Sequence, residues 1–269
     1  MCAHHDETKS AGLSQFTVGR RDILRGAAAG ALVAATGACA NTTNPETGRD
    51  QFIIIDDAQL EQASLQAWAQ QLQQEPTWNN RAAQTRLERV GQRVVDAAGR
   101  GGQPWEFRLF DSPEKNAFVL PARKVGFYRG LYEICDADDY MATVLGHEVG
   151  HVTGRHAAER YSRAVATNAA LQVAGTQINS QLAMAALGLG AQVGVMLPFG
   201  REQESEADIL GLNYMHRAGY DPRLAIPFWQ RMSQGGGSRP PEFLSTHPDP
   251  DNRIERIRNY INQQGWGPV

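Results

Sequence analysis

The sequence predicts an α+β fold: a mainly helical domain with a small β-sheet set beside one central helix. Three observations predict it. Several stretches repeat apolar side chains at helical spacing. The middle of the chain instead alternates apolar and polar residues over short runs. Between these, acids at Asp136–Asp139 open a helical pattern that runs to about Glu159 and carries His147-Glu148-Val149-Gly150-His151.

The elements follow in order. Gln51–Ile55 reads as a short strand. A helix from Asp56 places Leu60, Leu65, Trp68 and Leu72 roughly on one face. Asn80–Ala98 is a second helix, with Leu87, Val90, Val94 and Val95 as its stripe, stopped by Arg100-Gly101-Gly102. Trp105–Phe110, Asn116–Leu120 and Lys124–Tyr128 are the strands, and the motif-bearing helix comes next. Residues 164–200 carry no charged side chain; they read as two apolar helices packed on the core, or as a patch lying against membrane or a partner. Arg201–Ala218 and Pro222–Met232 are helices, Gly235-Gly236-Gly237 is a joint, and Asp251–Gln264 closes the chain with Ile254, Ile257 and Ile261 as its stripe.

The first fifty residues read differently. Arg20-Arg21 followed by Ile23-Leu24 and an Ala- and Gly-rich run to Ala40 has the grammar of a twin-arginine export signal, too short to span a bilayer. Thr36-Gly37-Ala38-Cys39 is similar to a lipobox, with Thr36 where leucine is usual; a plain signal-peptidase site near Ala38–Ala40 is the alternative. The expected organisation is a signal over 1–38, a tether over 39–50 beginning at a lipidated Cys39, and a catalytic domain over 51–265. The chain is then expected to be exported, periplasm-facing and anchored to a membrane surface. Removal of the signal leaves Cys135 as the one remaining thiol, so no disulfide framework is expected. A net charge of -3 gives no basic excess for nucleic acid.

The pentad carries chemistry. On a helix, residues four apart share a face, so His147 and His151 can reach one Zn2+ ion, with Glu148 beside them as a general base for an activated water. Such a site needs a third protein ligand. Glu204 and Asp208 are also four apart on a helix. Glu204 can ligate and Asp208 can accept the free N–H of a ligating histidine, or both belong to a solvated acidic turn. Glu202 and Glu206 read as solvated.

Taken together, His147-Glu148-Val149-Gly150-His151 and Glu204-Ser205-Glu206-Ala207-Asp208-Ile209-Leu210-Gly211 resemble the gluzincin metallopeptidases of the HtpX, BepA and CAAX-prenyl-endopeptidase type, family forty-eight of the metallo class. Asn116-Ala117-Phe118-Val119-Leu120-Pro121 resembles the strand before the active helix, Gly126–Leu131 the run after it, and Ser245-Thr246-His247-Pro248 with Arg253 a C-terminal His-Pro motif. Asn44-Pro45-Glu46-Thr47-Gly48 looks like bacterial lipoprotein members.

The resemblance implies a zincin-type domain with one Zn2+ held by His147, His151 and Glu204, with Glu148 as base and Asp208 behind a ligand. It implies that His247 either fills the fourth zinc position and holds the enzyme latent, or donates to the oxyanion. Arg253 would pair with an active-site carboxylate or with a neighbouring acid. Extended polypeptide is expected to lie along the Asn116, Ala117 and Phe118 strand. No series of long spans like those of the HtpX branch is seen, so membrane-embedded substrates are not expected. The implied activity is a zinc metalloendopeptidase acting on unfolded or misassembled envelope proteins, with outer-membrane assembly machinery as a partner. The rival is a non-proteolytic, zinc-stabilised chaperone or scaffold for outer-membrane proteins.

Overall fold

The computed structural model describes residues 41–173, 200–234, 242–248 and 252–267. The export signal, Cys39, the second half of the uncharged segment and the Gly235–Gly237 joint lie outside the described residues.

β1 (Asn41–Thr43) and β2 (Asp50–Phe52) form an antiparallel hairpin. Within the stretch read as tether from its turn-rich composition, residues 41–43 and 50 are therefore paired backbone, joined by the 44–49 loop. The reason is local: Asn44 Oδ1 accepts from the Glu46 N–H, and its backbone closes the loop on Gly48 and Arg49.

α1 (Asp57–Gln74) starts on Asp56, whose carboxylate accepts from the Ala58 and Gln59 N–H groups. The expected stripe is half right. Leu60 and Trp68 are buried, but Leu65 and Leu72 are 46% and 37% exposed. The buried face is Leu60, Ser64, Ala67, Trp68 and Gln71. Trp68 sets that rotation by packing edge-on against Phe110 and Phe118, and Gln71 reaches Tyr128. α2 (Arg81–Ala97), capped by Asn80, buries Leu87, Val90, Val94 and Val95 as its periodicity requires.

β3 (Glu106–Phe110), β4 (Ala117–Leu120) and β5 (Lys124–Tyr128) make one sheet in the order β3-β5-β4, with β5 parallel to β3 and antiparallel to β4. β4 thus keeps one edge that pairs with no strand among the described residues. After the short α3 (Arg129–Tyr132) comes α4 (Asp138–Thr153), which carries the pentad. Its N-cap is Ala137, without a side-chain cap; the acids Asp138 and Asp139 lie in the first turn. The single helix expected to reach Glu159 breaks at Gly154-Arg155, where Arg155 has φ 53°, and α5 (His156–Val173) begins. α6 (Arg201–Arg217), a 3-10 turn (Pro222–Leu224), α7 (Ala225–Gln234), α8 (Glu242–Thr246) and α9 (Arg253–Gln263) complete the described elements. The fold is the expected mainly helical α+β domain. No helix among the described residues is long and apolar enough to cross a membrane. Cys135 is a free, buried thiol whose pKa burial pushes up, as fits a packing residue.

α4 is the axis of the core, buried almost throughout from Met141 to His151. It crosses α6 at backbone contact. A Cβ on Gly146 would come to 2.9 Å from the Gly211 carbonyl oxygen, and one on Gly150 to 2.8 Å from that of Ala207. Ala in place of Gly gains about 1 kcal/mol of helix propensity. Overpacking a tight contact costs about 1–3 kcal/mol, and here the obstruction is backbone that cannot swing aside. Gly150→Ala and Gly211→Ala are therefore expected to lower the melting temperature of the metal-free protein and its zinc content together. An unshifted melt with full zinc content would refute the close-contact argument.

Candidate metal centre

The crossing brings two pairs of residues face to face. α4 presents His147 and His151 one turn apart, and α6 presents Glu204 and Asp208 one turn apart. His247 enters from the end of α8. One donor atom each from His147, His151, Glu204 and His247 lies within 4.8 Å of all the others, and all four residues are buried.

The spacings are informative. His147 Nε2 is 3.1 Å from His151 Nε2 and 3.2 Å from Glu204 Oε2. His151 Nε2 is 3.3 Å from Glu204 Oε1. His247 Nδ1 is 3.2 Å from His147 Nε2 and 3.1 Å from Glu204 Oε1. Zinc bonds of about 2.0–2.2 Å put tetrahedral ligands about 3.3–3.6 Å apart. The donor set, three imidazole nitrogens and one carboxylate, therefore fits zinc in chemistry and in size.

Asp208 sits behind His147, with its Oδ1 2.9 Å from His147 Nδ1. Donation of Nδ1–H there leaves Nε2 bare and facing the cluster. Arg253 clamps both acids: Nε donates to Asp208 Oδ2 at 2.8 Å, and Nη2 to Asp208 Oδ1 and Glu204 Oε2 at 3.0 Å each. Its guanidinium carbon lies 3.9 Å from the centroid of the Trp229 ring.

Electrostatics follow the geometry. Burial works to raise the Glu204 carboxyl, but the His247 and His147 imidazoles hold it well below its ordinary value. Burial likewise opposes the charge on Asp208, and Arg253 overrides it. For His147, burial lowers and the Glu204 charge raises, the sum lying at about 9. Burial drives His151 well below its ordinary value.

Glu148 is the contrast. Burial pushes its carboxyl up, and neither of its buried oxygens has a side-chain hydrogen-bond partner among the described residues. His247 Nε2 at 3.5 Å and the backbone N–H of Val119 face it. A buried carboxylate so weakly held is suited to taking a proton.

The structure thus brings His147, Glu148, His151, Glu204, Asp208, His247 and Arg253 into one buried cluster. Asn116, Ala117 and Phe118 lie on or just before β4, beside α4, with their side chains buried; the Phe118 ring packs on Trp68, Phe110 and Tyr128. Only backbone is offered there. Of the two acids read as solvated, Glu202 is exposed but Glu206 is 9% exposed. Its burial comes from the β1–β2 hairpin, whose Arg49 bonds it, and short-range spacing carries no sign of that. Other residues missed in the sequence are His156, whose Nδ1 is 2.8 Å from His151 Nδ1, and Phe243, stacked on His247 with centroids 4.4 Å apart. A third histidine, five residues after His151, was the available signal for His156; Phe243 left none.

Asp208→Ala is expected to weaken zinc affinity about 10–100-fold, read by chelator competition on the purified chain. An unchanged affinity would remove Asp208 from the site.

Comparison with known proteins agrees with the geometry. A family model described as Peptidase family M48 matches residues 81–261. The mitochondrial metalloendopeptidase OMA1 of Schizosaccharomyces pombe is 36% identical over 179 residues, 65% of this chain and 52% of that protein. The beta-barrel assembly-enhancing protease of Escherichia coli O157:H7 is 34% identical over 188 residues, 66% of this chain and 38% of that protein. OMA1 of Saccharomyces cerevisiae is 31% identical over 237 residues, 81% of this chain and 68% of that protein. The chain thus spans from about two fifths to about two thirds of these relatives' length.

Proposed function

The chain belongs to peptidase family M48, and from that premise we propose that it is a zinc metalloendopeptidase. The observation that carries this reading is the buried cluster of four donors with Glu148 beside it. His147, His151 and Glu204 would hold the ion. Bound there, zinc supplies a Lewis acid that lowers the pKa of water and polarises the scissile carbonyl. Glu148 takes the proton of the attacking water and hands it to the leaving amine. Asp208 and Arg253 keep the ligands oriented and the buried charge balanced.

The substrate is an extended polypeptide laid against the edge of β4 that pairs with no strand among the described residues, recognised through backbone because Ala117 and Phe118 keep their side chains in the core. Such recognition suits unfolded or misassembled proteins of the cell envelope. The setting is an exported chain, lipid-anchored through Cys39 to a membrane surface and close to outer-membrane assembly machinery. The export signal and lipobox-like run support that setting, as does similarity to a protease named for β-barrel assembly.

His247 is read as a latch: an imidazole among the ligands competes for the position that water needs.

Glu148→Gln is expected to abolish cleavage of an unfolded substrate while one zinc per chain stays bound. Retained cleavage would defeat the mechanism, and full rescue of a deletion strain by this variant would favour the scaffold reading. His247→Ala is expected to raise cleavage of the same substrate. A fall instead would assign His247 to the oxyanion.

A further inference from the structure

The two histidines of the pentad are supported differently. His147 donates directly to Asp208, whereas His151 meets another histidine. His151 Nδ1 lies 2.8 Å from His156 Nδ1, and His156 Nε2 lies 3.1 Å from Glu206 Oε2. His156 is wholly buried at the start of α5.

Resting on the zinc reading above, we propose that His156 and Glu206 form a positioning relay that fixes the ring and tautomer of His151, and that the 44–49 loop of the N-terminal hairpin is the clasp that holds the relay.

The direction of the relay follows from counting protons. His151 Nε2 faces the cluster, 3.1 Å from His147 Nε2 and 3.3 Å from Glu204 Oε1, so it must be bare to bind a metal. The ring proton then sits on Nδ1 and is donated to His156 Nδ1. That nitrogen must accept, which puts the His156 proton on Nε2, aimed at Glu206. An ionised carboxylate can only accept, so each step fixes the next. A donor at position 206 would reverse the chain and place a hydrogen on the metal-facing nitrogen.

The hairpin keeps residue 206 an acceptor. Asn44 Nδ2 at 3.4 Å, the Thr47 hydroxyl and Arg49 Nε all donate to Glu206. The far side of the Arg49 guanidinium is held by Glu159, at 3.0 and 2.7 Å. Glu159 in turn accepts from Gln203 Nε2 at 2.8 Å. A bidentate arginine spanning two acids is a geometry lysine cannot reproduce. A segment more than a hundred residues upstream of His151 thereby becomes part of the metal site's support.

The test uses the full chain with zinc, and reads zinc affinity by chelator competition and the melting of the metal-free protein. His156→Phe is expected to raise the zinc dissociation constant about 10–100-fold. His156→Gln, whose amide can both accept from His151 and donate to Glu206, is expected to recover most of that loss. The cobalt(II)-substituted protein is expected to show a shifted visible spectrum in the phenylalanine variant and a restored one in the glutamine variant. Unchanged affinity in His156→Phe overturns the relay, and so does an equal loss in both variants. Should the phenylalanine variant fail to fold, Arg49→Ala decides: weakened affinity supports the clasp and wild-type affinity overturns it. Wild-type protein that binds no zinc would instead overturn the zinc reading on which the relay rests.

Discussion

Everything at the site depends on how closely α4 and α6 approach. Helix axes usually lie 8–10 Å apart, spaced by side chains. Here Gly146, Gly150 and Gly211 remove the spacers, and backbone meets backbone. Only then can the short Asp208 side chain reach His147 Nδ1 at 2.9 Å, while Glu204 stands among three imidazoles. Hydrophobic burial along α4 supplies the general compaction. The absent Cβ atoms decide where that compaction stops.

That approach concentrates charge in a buried interior. Glu204 and Asp208 are buried acids that would be costly alone. Arg253 answers both with one guanidinium, itself covered by Trp229. Glu206 and Glu159 repeat the arrangement with Arg49. The site is thus held between two arginine clamps, one from the C-terminal helix and one from the N-terminal hairpin. Glu148 stands outside both clamps, bonded by neither arginine.

The fold class was legible because the long apolar periods of Arg81–Ala97 and the alternation in Glu106–Phe110 are local signals. The pentad and the Glu204/Asp208 pair were legible because i,i+4 spacing on a helix is itself a geometric statement. What escaped was long-range. Leu65 and Leu72 share the helical period of Leu60, yet the bulk of Trp68 turns a neighbouring face inward. Residues 39–50 look like tether because what fixes Arg49 is its docking on Glu159, 110 positions away. Glu206 looked solvated for the same reason: what buries it is another segment.

The central claim is that His147, His151, Glu204 and His247 surround a single zinc ion. X-ray absorption at the zinc edge of the purified wild-type chain tests it most directly. The account predicts one zinc per chain in a shell of nitrogen and oxygen at about 2.0–2.2 Å, with the outer-shell scattering of three imidazoles. A sulfur contribution at about 2.3 Å, scattering from fewer than two imidazoles, or no bound zinc would contradict it.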